Sequence, residues 1–226
     1  MKKIILISGD PNSINTELIY KSLKKIKKNV KKKIFLISNY KLLNSQLKKL
    51  KYNMNISQVK NLNQKLKNNN IKVIDIKLKR TSPFNVKKKE ASNYIMKCLN
   101  VAHNLAIKES NISLINCPIS KDLLKKQKIG VTEYLSSKSK IHDDSVAMLI
   151  FNEKLSVCPI TTHIDVNEIR KELKKITIIK KIKTIDKWYK NKYQKKPKIG
   201  ILGLNPHNAE LRNNSEEKKN YNTGYK

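Results

Sequence analysis

Four histidines, three cysteines and 17 acidic residues are the groups in this 226-residue chain best suited to bind a metal or move a proton. Two of the histidines end loops that directly follow apolar runs: Thr161-Thr162-His163 and Gly203-Leu204-Asn205-Pro206-His207. Imidazole is the commonest side-chain ligand for zinc and similar cations, and a catalytic site takes about three protein ligands plus an open position. His163 and His207 are therefore candidate ligands of one divalent cation. Their separation along the chain does not join them, and two loop imidazoles each hydrogen-bonded locally is the competing reading. His103 falls inside a long helical pattern and His142 stands beside Asp143-Asp144, so both read as structural or solvated. Cys98, Cys117 and Cys158 are widely spaced and form no CxxC pair. They imply neither a disulfide framework nor a zinc knuckle and are expected as small buried residues.

The elements that must position these groups alternate strand and helix. Lys2 to Ser8 is an apolar run suited to a strand buried on both faces, ended by the turn Gly9-Asp10-Pro11-Asn12. Asn15 or Thr16 is expected to cap a helix reaching about Lys28. A strand at Lys33 to Ser38, a helix at about Tyr40 to Leu50 and a half-exposed strand at Ile71 to Leu78 follow, with 51–70 as loop or short strand. The longest helix is expected over Lys87 to Lys108, with Ala91, Ile95, Leu99, Ala102 and Ala106 on one stripe. Ser113 to Asn116 is a further strand, and the turn after it places Lys121 at the start of a helix. Val146 to Phe151 and Leu155 to Ile160 read as a hairpin, with helices at about 165–174 and 176–192 and a last strand at Lys198 to Leu204. The expectation is an α/β fold with a mixed sheet flanked by helices, as one incomplete unit over 1–212. A polar tail, expected to be disordered, follows over 213–226. Ligands of open α/β sheets bind at the carboxyl ends of the strands, which is where these loops fall.

The net charge is +33, from 50 Lys+Arg against 17 Asp+Glu. Such a balance suits nucleic acid or an anionic surface. The excess is almost all lysine, however, spread over the whole chain among abundant Asn and Ile, whereas phosphate readers favour the arginine fork. It reads as compositional bias, and nucleic acid is not expected as the partner. No apolar run reaches the roughly 18 residues that span a bilayer, and the apolar start breaks at Ser8-Gly9-Asp10-Pro11, too early for a signal peptide. A cytoplasmic protein with no membrane partner is expected.

Five segments, in order, resemble one family. Gly9-Asp10-Pro11 with Glu17-Leu18 is similar to its N-terminal Gly-Asp/Glu-Pro-Ala-Gly-Ile-Gly-Pro-Glu loop, and Asn116-Cys117-Pro118-Ile119-Ser120-Lys121 to its Thr/Asn-Gly-Pro-x-x-Lys turn. Gly130-Val131-Thr132-Glu133 resembles its Gly-His-Thr-Glu segment. Ala147-Met148-Leu149 through Thr161-Thr162-His163 resembles its hairpin and Thr-Thr-His ending, and Gly203 to His207 matches its Gly-Leu-Asn-Pro-His loop. The family is that of the NAD-dependent 4-hydroxythreonine-4-phosphate dehydrogenases of vitamin B6 synthesis.

The resemblance implies a fold like that of the isocitrate and isopropylmalate dehydrogenases, and a homodimer with its active site at the interface. The implied reaction is oxidation of the C3 hydroxyl of 4-phosphooxy-L-threonine by NAD, then loss of CO₂ to give 3-amino-2-oxopropyl phosphate. It also implies a divalent cation (Zn, Mg or Co) on three histidines, of which His163 and His207 match two. The third, in a His-Asp-Gln motif, falls past residue 226, so a C-terminally truncated and inactive fragment is expected. Val131 and Thr132 match substrate-binding positions. Thr132 reads equally as a helix N-cap, and Lys121 as near the substrate phosphate or as a solvated lysine. Val131 stands where the family has histidine and Cys117 where it has glycine. Two other readings are a dehydrogenase of phosphorylated threonate or erythronate, and a non-catalytic remnant that binds polyanions.

Overall fold

Branched apolar residues at alternate positions of two adjacent strands set the architecture. The computed structural model describes residues 2–66, 68–79, 82–109, 111–127, 130–139, 146–152, 154–162 and 164–203. It divides into two compact units, Met1–Ser139 and Lys140–Lys226. In the first, β1 (Lys3–Ile7) leads through α1 (Asn15–Lys25) and the single turn α2 (Lys28–Lys31) to β2 (Ile34–Ser38). Then come α3 (Tyr40–Lys49), β3 (Ile56–Gln58), β4 (Ile71–Asp75), α4 (Lys88–Lys108) and β5 (Ile112–Asn116). A 3-10 helix, Lys121–Gln127, and α5 (Val131–Lys138) complete the unit.

The strands form one sheet in the order β3-β4-β2-β1-β5, and every pairing is parallel. Parallel strands are covered on both faces, and side chains of successive residues point to opposite faces. Ile5, Ile7, Phe35 and Ile37 accordingly pack in one cluster with Ala91, Ile95 and Leu99 of α4. Their neighbours Ile34 and Leu36 pack in the other with Ile19 and Leu23 of α1 and Leu43 and Leu47 of α3. The result is a helix–sheet–helix sandwich. The helix face expected on α4 is the buried one, with Tyr94 and Cys98 added, and His103 is buried with Nε2 2.9 Å from Ser139 Oγ.

Several expectations are corrected. The described sheet is parallel, not mixed. The expected hairpin is a lone antiparallel bridge, Ile150 with Val157, outside that sheet. Residues 198–203 form no strand. Strand structure requires a pairing partner and a face to bury, and Ile150, Leu155, Val157 and Leu202 are all exposed. The cap of α1 is Ile14, with no side-chain bond, because Asn15 and Thr16 spend their polar groups on other segments. The helix expected at 165–174 is a 3-10 turn, Val166–Glu168, and one turn of α6 (Ile169–Glu172). In the second unit α7 (Lys175–Tyr193) is the long element, ended by Gln194 in the left-handed region (φ 55°). The expected disordered tail, 213–226, lies outside the described residues.

The buried thiols tie this packing to pH. Burial raises Cys98 to about 12, partly offset by a hydrogen bond with Tyr94, and raises Cys117 to about 11. The folded chain keeps these protons when the unfolded chain, near the ordinary 9.0, has lost them. Their contribution is complete below pH 9.0 and drains away as pH rises towards about 11 and beyond. Urea titrations at stepped pH should show this decline, and the double variant Cys98→Ala, Cys117→Ala should show a flatter one.

Candidate active site

β1 and β5 are neighbours, yet their chains leave the sheet towards opposite faces. The loop after β1 enters α1, which packs with β2 and β4 residues on one face. The loop after β5 enters the 3-10 helix, whose Leu123 and Leu124 pack with α4 on the other. Adjacent strands that diverge in this way open a crevice at their carboxyl ends, the usual ligand position in open α/β sheets.

Gly9 stands in the first of these loops, just after β1. Its φ is +72°, and a Cβ there would lie 2.5 Å from Asn15 Nδ2 and 2.6 Å from the Pro118 carbonyl. Only glycine meets both conditions. The approach lets the two loops bond. Asn15 Nδ2 donates to the Pro118 carbonyl (2.8 Å), the Asp10 N–H donates to the same oxygen (3.3 Å), and the Cys117 N–H donates to Ile7 (2.9 Å). Asn15 Oδ1, also buried, has no protein partner among the described residues.

Two amides not singled out in the sequence fix the rest of the loop. Gln46 of α3, buried, donates to the carbonyls of Pro11 (2.7 Å) and Pro83 (2.6 Å) and accepts from Thr16 Oγ1 (2.5 Å). Asn12 donates from Nδ2 to the Val86 carbonyl and accepts the Val86 N–H at Oδ1, both at 2.8 Å. The available signal was Gln46 itself, a polar residue on the buried stripe of Leu42, Leu43 and Leu47. Its partners are 30 to 37 positions away and carry no local pattern. Beneath, the Tyr94 hydroxyl accepts the Asn39 N–H (2.9 Å) and meets Ser8 Oγ (3.0 Å), holding the ends of β1 and β2 together. Burial raises the Tyr94 hydroxyl far above its ordinary range, so it stays protonated. Asn39 in turn caps α3, and the Asp75 carboxylate accepts the Tyr40 N–H (2.7 Å).

Of the residues expected at the site, Val131 and Thr132 open α5. Gly130 is the N-cap and no side chain caps the helix, which overturns the N-cap reading of Thr132. Thr132 is exposed in the first turn, whereas Val131 is half-buried against the α4 cluster. Tyr134, bonded to Asn100 Oδ1 (2.6 Å), anchors the helix on α4. A helix start attracts anions, and an exposed hydroxyl beside it adds a donor, with the Glu133 carboxylate also at this end, its Oε2 2.6 Å from where a Cβ on Gly130 would stand. Lys121 is exposed at the start of the 3-10 helix. His163 and His207, the candidate metal ligands, lie outside the described residues, as does His142. Among the described residues no group of three His, Cys, Asp or Glu could hold a metal ion. No described helix is long and apolar enough to cross a membrane.

A Gly9→Ala variant should lose roughly 2 kcal/mol or more, combining the left-handed φ with overlap against the Pro118 carbonyl. Urea unfolding measures the loss, and a change within about 0.5 kcal/mol would refute the close approach.

The family profile described as "Pyridoxal phosphate biosynthetic protein PdxA" matches residues 11–221. The 4-hydroxythreonine-4-phosphate dehydrogenase of Sulfurihydrogenibium sp. is 31% identical over 225 residues, covering 97% of this chain and 68% of that protein. The enzyme of the same name from Aquifex aeolicus is 38% identical over 109 residues, 47% of this chain and 33% of its own length. The D-threonate 4-phosphate dehydrogenase of Salmonella typhimurium is 27% identical over 124 residues, 54% of this chain and 37% of that one. The chain thus spans between a third and two thirds or so of its relatives' lengths. In fold it is similar to the crystal structure of a 4-hydroxythreonine-4-phosphate dehydrogenase from Burkholderia phymatum. The TM-score is 0.77 at 21% identity, over 98% of this chain and 68% of that one. The Klebsiella pneumoniae structure of the same name gives 0.73 at 23% identity, over 92% and 65%. With the profile spanning nearly the whole sequence, the chain belongs to the PdxA family of pyridoxal phosphate biosynthetic proteins.

Proposed function

We propose that the protein carrying this sequence is an NAD-dependent dehydrogenase of a four-carbon hydroxy acid 4-phosphate, with 4-phosphooxy-L-threonine as substrate. The observation that carries the reading is the family match over residues 11–221, with relatives named for 4-phosphate substrates. Oxidation at C3 to a β-keto acid is followed by loss of CO₂, giving 3-amino-2-oxopropyl phosphate. An isocitrate dehydrogenase-like fold belongs to the same proposal.

Thr132 and the uncapped start of α5 supply donors suited to the phosphate, and the spread of lysines attracts the anion from solution. The close approach at Gly9 and the bonds of Asn12 and Gln46 hold the β1–α1 loop in place before any ligand arrives, so binding need not order it. His163 and His207 are the imidazole donors for a divalent cation, one short of the three protein ligands that a catalytic site usually takes. When bound, such a cation lowers the pKa of the substrate hydroxyl and steadies the enolate left by decarboxylation.

A second reading, D-threonate 4-phosphate as substrate, is favoured by Val131. Its side chain packs against the core and offers no polar contact where the family has histidine. NADH formation with each substrate by the full-length protein that carries this sequence separates the two, and activity should disappear on chelation of divalent metal. Turnover of neither would overturn the enzyme assignment. Thr132→Ala should lower kcat/KM by roughly one to two orders of magnitude, the value of a hydrogen bond to a charged group. Thr132→Ser should restore most of it.

Association into a homodimer is part of the proposal. Residues 146–162 contain one Glu and one Lys and so have no net charge, in a chain of +33. Ile150, Leu155 and Val157 are exposed there. Two copies of so basic a chain meet at least electrostatic cost through a neutral apolar surface.

A further inference from the structure

We infer that Lys192 is a cation–π latch that fixes the 150–157 bridge segment on α7, presenting its apolar edge in one conformation for association with a second copy. The inference rests on the homodimer reading above for its purpose, and on independent geometry for its mechanism.

Three rings form a box. Phe151 comes from the bridge segment, and Trp188 and Tyr193 come from the last turns of α7. Phe151 and Tyr193 lie nearly parallel, 12° apart with centroids at 6.1 Å. Trp188 stands across them at 76° and 83°, with centroids at 5.9 and 5.7 Å. The Lys192 ammonium lies 4.7 Å from the Trp188 centroid and 5.3 Å from those of Phe151 and Tyr193. The negative faces of aromatic rings attract a cation at such distances. Asp186, the acid of α7, is engaged by Lys190 at 2.5 Å, and among the described residues no carboxylate pairs with Lys192. The ammonium therefore joins two segments through the rings.

Two polar contacts set the same segments together without fixing Phe151. Ser156 Oγ meets Tyr189 OH at 3.2 Å, and Lys181 Nζ donates to the Val146 carbonyl at 2.8 Å. The bridge itself is a single reciprocal pair, Ile150 N–H to Val157 O at 2.8 Å and Val157 N–H to Ile150 O at 2.9 Å. An isolated two-stranded piece is marginal in water, so its shape depends on what anchors it. Besides these contacts, Phe151 and Lys192 provide that anchor, while Ile150, Leu155 and Val157 remain exposed.

Trp188 is the chain's one tryptophan, so its fluorescence reports the box directly. Lys192→Ala should raise acrylamide quenching of Trp188 and speed tryptic cleavage after Lys154. The expected factor is roughly two- to fivefold, the value of an exposed cation–π contact. Lys192→Arg should restore both, because guanidinium also packs on rings, and a helix effect alone would not be rescued in this way. Quenching and cleavage unchanged in Lys192→Ala would overturn the latch. Sedimentation of the same proteins tests its purpose. Weaker self-association of Lys192→Ala supports the positioning role, and unchanged association with a loosened segment overturns it. A wild-type chain that stays monomeric while the latch readouts hold removes the homodimer reading instead.

Discussion

The rest of this molecule depends on one close approach, that of the Cys117-Pro118 backbone to Gly9. Two parallel strands, β1 and β5, can diverge to opposite faces of the sheet only if their loops first pass each other at the carboxyl edge. The space for a Cβ at Gly9 is already filled by Asn15 Nδ2 and the Pro118 carbonyl, so that passage is closed to any other residue. Once the loops touch, the bonds from Asn15 and Asp10 to Pro118 become possible, and the first turn of α1 is fixed against β5. Gln46 and Asn12 extend the constraint to Pro83 and Val86, at the approach to α4. Loops from three separate strands are thereby held by the amides of Asn12, Asn15 and Gln46, with Asn15 Oδ1 left without a protein partner among the described residues. Such networks specify one arrangement because leaving any member unpaired is costly.

Charge divides the chain in a different way. A net +33 opposes compactness and association through self-repulsion, yet it costs little where lysines reach into water and are spread evenly. Lys72 shows the local compromise. Its ammonium lies over the Phe35 ring, 4.3 Å from the centroid, and burial, with Lys3 nearby, lowers its pKa. The neutral stretch 146–162 is where this general repulsion is relieved, and it is also where apolar side chains are left exposed.

Much of the first unit was legible in the sequence, because its signals are local. The 3.6-residue stripe of α4 and the bounds of β2 and α3 each fall within one or two residues of expectation. The cap of α1 was misread for a physical reason. Asn15 and Thr16 have the right chemistry for capping, but Pro118 and Gln46 compete for their side chains, and those partners are distant in sequence. The bridge at 150–157 and the coil at 198–203 were read as regular strands because apolar alternation gives propensity without a pairing partner. The resemblance rested on five motifs in order, and the match over residues 11–221 bears out the family they point to. It did not reveal that Thr132 stands free in the first turn of α5 while Val131 turns into the core. That distinction depends on how Tyr134 docks on α4.

Binding of a phosphorylated hydroxy acid at the start of α5, as proposed above, is tested most directly by amide shifts of the isotopically labelled chain. On titration with 4-phosphooxy-L-threonine, saturable shifts centred on Val131, Thr132 and Glu133 are predicted, and they should survive added salt better than shifts at exposed lysines. Shifts confined to lysine-rich surface, or none that saturate, would contradict it.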